Sequence, residues 1–79
     1  MNNNQKPKAP IIGADGNIFN LIGIVSRTLR ENGQADLVNE MVSKVTASSS
    51  YNEALNRLFE YVEPVEVGYV FEPEDFDFK

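Results

Sequence analysis

Apolar residues first recur at helical spacing between residues 17 and 31. Ile18, Leu21, Ile22, Val25 and Leu29 fall on one stripe, with Arg27 and Arg30 on the opposite side. This predicts a helix over about Asn17–Glu31, capped by Asp15 or Asn17 and stopped at Asn32-Gly33, where glycine suits a left-handed cap. A second helix is expected from about Gln34 to Thr46, with Val38, Met41, Val42 and Val45 facing inward. The short link between the two predicts a helical hairpin. Ser50 followed by Glu53 is a capping box, so a third helix should start at Tyr51 and run to about Val62. Tyr51, Leu55, Leu58, Phe59 and Val62 share its inner face, and Glu63-Pro64 should end it. The expected core therefore includes Leu21, Val25, Val42, Leu55 and Phe59.

The period then drops to two. Val65, Val67, Tyr69 and Phe71 alternate with Glu66, Gly68 and Val70, which predicts a strand. That strand can pair with the short extended run Ala9–Ile12 or add to the edge of a partner's sheet. The expected fold class is mainly α: a compact three-helix unit with one or two short β-strands. Three segments follow from these patterns. Residues 1–8, polar and rich in Asn, read as a disordered leader; residues 9–71 form a single helical domain with short terminal strands; residues 72–79 form an acidic-aromatic tail.

Composition narrows the chemistry. A chain of 79 residues buries only about 60% of its unfolded surface, so its stability margin is thin. It contains no Cys and no His, which removes disulfides, Cys/His zinc sites and the commonest general base and nucleophile. The core must suffice, or a partner or second copy must help; a homodimer is one such outcome. Neither a signal-peptide pattern nor a long apolar run is present, so a cytoplasmic protein of the host cell, without membrane contact, is expected.

The net charge is −5, and residues 63–79 hold six acids against Lys79 alone. This distribution argues against direct nucleic-acid binding, which needs Lys and Arg at the phosphates. A groove-reading helix is also disfavoured: the third helix offers Arg57 against Glu53 and Glu60. Gly13-Ala14-Asp15-Gly16-Asn17 precedes a helix but lacks the Gly-Lys-Ser/Thr ending of a phosphate loop, and Asp15 would repel a phosphate. It reads as a turn and cap. Ser48-Ser49-Ser50 reads as a capping linker, and Glu74, Asp75 and Asp77 as at most a weak, solvated ion site. No catalytic, cofactor-binding or metal residue is expected.

The distinctive element is the tail, where Phe76 and Phe78 alternate with Asp75 and Asp77. Either it is a solubilising end, or its aromatics anchor in a partner's pockets while Glu74, Asp75 and Asp77 meet a basic rim. Ile24, an apolar residue off the first helix's stripe, and Arg27 are the next candidates for partner contact.

One resemblance adds to this. The opening Ile12-Gly13-Ala14-Asp15-Gly16-Asn17-Ile18-Phe19, the helix end Leu29-Arg30-Glu31-Asn32-Gly33, then Ser50-Tyr51-Asn52-Glu53-Ala54-Leu55 and Tyr61-Val62-Glu63 make up the pattern. It resembles small uncharacterised proteins of phages and mobile elements in low-GC Gram-positive bacteria. Those share an Asp-Gly-Asn-x-Phe opening, a Tyr at the start of the last helix and a closing Tyr-Val. The resemblance covers residues 11–63 and carries no defined activity. It implies a phage or plasmid accessory protein that binds a host or phage protein, such as an inhibitor of a host defence nuclease (an anti-CRISPR-like role). The alternative is an acidic DNA mimic, or a replication or recombination accessory protein.

Overall fold

The computed structural model describes residues 6–68. Strand β1 (Lys8–Ile12) leads to helix α1 (Ile18–Glu31), a 3₁₀ turn (Ala35–Leu37), α2 (Val38–Thr46), α3 (Tyr51–Leu58) and strand β2 (Glu63–Glu66). Three helices and a two-stranded sheet make the fold mainly α with minor β.

Local chemistry sets most helix ends. Asn17 caps α1, its Oδ1 accepting from the Phe19 N–H at 2.8 Å, while Asp15 Oδ1 accepts from the Asn17 N–H at 3.0 Å. At the far end Gly33 takes φ +75°, the Gln34 N–H reaches Leu29 O at 2.8 Å and the Gly33 N–H reaches Arg30 O at 3.3 Å. These two bonds are a Schellman motif, which a residue with a Cβ would close only with strain. Ser50 Oγ accepts from the Glu53 N–H at 3.1 Å. Glu53 Oε1 accepts in return from the Ser49 N–H, one residue ahead of the usual capping-box partner.

Two helices are shorter than their periodicity predicts. No side chain caps the start of the second, and its first turn tightens into a 3₁₀ turn with the Leu37 N–H on Gln34 O at 2.9 Å; α2 proper starts at Val38. Helix α3 stops at Leu58 rather than Val62. The Glu60 and Tyr61 N–H groups bond three residues back, to Arg57 O and Leu58 O. This tightening swings the chain towards β1, and Lys6 Nζ caps the turn on Phe59 O at 2.8 Å.

The core moves accordingly. Leu21, Val25, Leu29, Met41, Leu58 and Val62 are its largest fully buried side chains. Leu21 and Val25 meet expectation, but Val42, Leu55 and Phe59 are only half-buried against this core. Leu58 occupies the centre because α3 presents Ala54 and Leu58 inward, one turn apart.

β1 and β2 pair in parallel, with Lys8 opposite Glu63, Ala9 opposite Pro64 and Pro10 opposite Val65. The three helices form the crossover that a parallel pair requires. Buried Ala9 and Ile11 point inward from β1. The Glu63 N–H bonds Pro7 O and the Val67 N–H bonds Ile12 O, so the N–H groups of residues 63, 65 and 67 face β1. By the same alternation Pro64 and Pro10 fall on the outer edges, where a missing N–H removes no ladder bond and discourages a third strand. β2 begins two residues earlier than the alternation predicts, and Val67 is exposed; Tyr69 and Phe71 lie outside the described residues. The strand also takes in Lys8, which composition assigns to the leader.

Among the described residues no helix is long and apolar enough to cross a membrane.

Candidate functional site

The N-terminal turn of α1, the end of α2 and the start of α3 surround an open groove of about 420 Å³. Ile18, Ile22, Val45 and Ala54 lie along its floor, Ser48, Ser49 and Ser50 along one side, and Phe19 and Tyr51 complete the lining. None of the ten lining residues is charged. Phe19 is 73% exposed and Tyr51 49%. The Tyr51 hydroxyl donates to the Gly16 carbonyl, so the ring is fixed although half of it faces water.

The arrangement follows from helix geometry. Phe19 sits next to the core stripe of α1 but on its outer side, and in the first turn no other element covers it. Tyr51 shares the inner period of α3, yet it is the first helical residue and overhangs the core. Periodicity alone predicts Tyr51 inside with Leu55 and Leu58, whereas the structure leaves it exposed.

From Phe19 the outer face of α1 continues through Gly23, Arg27 and Arg30, all exposed. These positions fall within one side of the helix at its regular spacing. Neither arginine belongs to any ion pair among the described residues, whereas Lys8, Lys44 and Arg57 each do. A Cβ at Gly23 would meet nothing within 4 Å. Nothing inside the fold therefore calls for glycine there, although mid-helix glycine costs roughly 0.5–1 kcal/mol relative to alanine.

The expected contact residues fall in different places. Arg27 is exposed on this face. Ile24 is half-buried and packs against the core, so the off-stripe apolar side chain that water reaches is Phe19. Glu74, Asp75, Phe76, Asp77 and Phe78 lie outside the described residues. A signal for Phe19 was available in the sequence: it lies off the Ile18, Leu21, Ile22, Val25, Leu29 stripe, as Ile24 does, but nearer the helix start.

A charged cluster lies elsewhere, between α2 and the turn after α3. The Tyr61 hydroxyl donates to Glu40 Oε2 at 2.6 Å. Lys44 Nζ stands 3.2 Å from Glu60 and 5.7 Å from the Tyr61 ring centre, and Arg57 lies 2.8 Å from Glu60. Arg57 and Lys44 hold the Glu60 carboxyl below its ordinary range, while burial and the Glu40 hydrogen bond push the Tyr61 phenol up. Every cation here has a carboxylate, so the cluster ties α2 to α3 and offers no open charge.

Comparison with protein-family models, with curated proteins and with solved structures finds no match to this chain.

Proposed function

We propose that the chain is a non-enzymatic accessory protein of a phage or plasmid that acts by binding a protein, from the host or from the phage. The observation that carries this reading is Phe19: a large aromatic held 73% exposed at the rim of an uncharged, apolar-floored groove. Exposed aromatics beside a pocket are the usual anchors of protein interfaces, and charge-poor centres distinguish such surfaces. In its sharper form, resting on the sequence resemblance alone, the reading makes the partner a defence nuclease that the protein inhibits.

The test is co-purification of the full chain from a low-GC Gram-positive host, beside a Phe19→Ala variant. A discrete protein retained by the wild type and lost by the variant, with unchanged melting, supports the reading. Identical retention, or none, overturns it. For the nuclease form, expression of the full chain should raise phage plating on a host carrying a nuclease defence; unchanged plating overturns that form.

The alternative, acidic mimicry of DNA, draws on the excess acids after residue 62. It requires capture that falls steeply with added salt and is indifferent to Phe19.

A further inference from the structure

The same face of α1 that supports the reading above has a chemical counterpart within the chain. We propose that, in the free protein, Phe19, Gly23, Arg27 and Arg30 seat the chain's own acidic-aromatic stretch, Glu72–Phe78. Charge complementarity points to this pairing. Arg27 and Arg30 are exposed and stand in none of the ion pairs among the described residues, and the nearest acid along the helix, Glu31, is not paired with Arg27. Glu63 is already paired with Lys8, and residues 72–79 hold four further acids against one lysine. Apolar complementarity points the same way: Phe19 is exposed, and Phe76 and Phe78 alternate with the acids. In an extended segment Glu72, Glu74, Phe76 and Phe78 share one side while Asp75 and Asp77 point away, so two carboxylates and two aromatics can meet the guanidinium groups and Phe19 together. Gly23, with open space above it, lets a backbone approach α1 closely.

The path is short. The Val67 N–H bonds Ile12 O at 2.8 Å, and the Val67 side chain stands 3.9 Å from where a Gly13 Cβ would be. The described chain therefore ends beside the turn that opens α1. Phe76 lies eight positions beyond Gly68, a reach of up to about 26–29 Å. The 14 residues of α1 extend about 21 Å. Phe76 and Phe78 can thus reach any point of the face. A partner that binds there must displace this stretch or present the same chemistry, an acidic segment with spaced aromatics.

The chain has no cysteine, so a single spin label at Lys79→Cys reports on the segment without altering its acids or aromatics. The proposal expects several-fold broadening of the amide signals of Gly23–Arg30 and none at Asn39 or Ser43 on α2. The broadening should not change on dilution, and Arg27→Glu with Arg30→Glu should abolish it at unchanged melting. Broadening centred elsewhere, or none, overturns the proposal. Broadening that fades on dilution overturns it in favour of a second copy as occupant. No partner is needed, so failure of lysate capture leaves this contact standing and failure here leaves the capture reading standing.

Discussion

The hydroxyl of Tyr51, the first residue of α3, donates to the carbonyl of Gly16, just before α1. The bond spans 35 residues and fixes both walls of the groove relative to each other. Gly16 is closely approached as well: a Cβ there would stand 3.0 Å from the hydroxyl oxygen, which would have to give by a few tenths of an ångström. Tyr51→Phe should destabilise the fold by about 1 kcal/mol, the net value of one such bond, in denaturant unfolding. Gly16→Ala should add little in the Tyr51→Phe background, because the two changes remove the same contact.

The core assignment separates two adjacent residues. Leu58 is fully buried and Phe59 only half-buried, so Leu58→Ala should cost about 2–5 kcal/mol and Phe59→Ala clearly less, despite the larger side chain removed. In a domain this small the first change should unfold much of the population. Equal melting of the two variants would contradict the assignment.

Sequence periodicity carries far for elements whose causes are local. The stripe of α1, the positive φ of Gly33 and the Ser50–Glu53 cap depend on residues within one or two turns, and all three stand as expected. What periodicity misses depends on distant chain. Helix α3 stops at Leu58 because residues 63–66 must run beside β1, more than 50 positions away in the sequence. Tyr51 keeps the right period but overhangs the core, and the exposure of Phe19 depends on what the other helices leave uncovered. The tail residues, chosen for contact on composition, lie outside the described residues, so the described candidate surface rests on α1 and the groove.

Capping gives a prediction that separates stability from binding. Ser50→Ala should remove the acceptor for the Glu53 N–H and cost about 1 kcal/mol. Capture of a partner should survive at temperatures where the variant is folded. Lost capture without lost stability would make the serine side of the groove a contact surface.

The Glu60 and Tyr61 shifts fix the sign of two pH effects. The folded Glu60 carboxyl titrates below its ordinary 4.5, so its contribution is present above that value and is lost as the pH falls through the lowered range. Glu60→Gln should flatten the acid side of the melting-temperature profile. The Tyr61 phenol titrates above its ordinary 10.0, so its contribution is present below that value and lost as pH rises through the raised range. Phenolate absorbance should show a late-titrating component that Tyr61→Phe removes.

Replacing Phe19 by a photo-crosslinking phenylalanine analogue tests the binding role of this surface most directly. The label takes the place of an aromatic that the fold leaves exposed, so folding should be preserved. Irradiation in a host cell should yield a discrete protein adduct from position 19 and none from the same analogue at Asn39, an exposed position on α2. A folded protein that gives no adduct at position 19, or the same products from both positions, would contradict a binding role for the exposed face of α1.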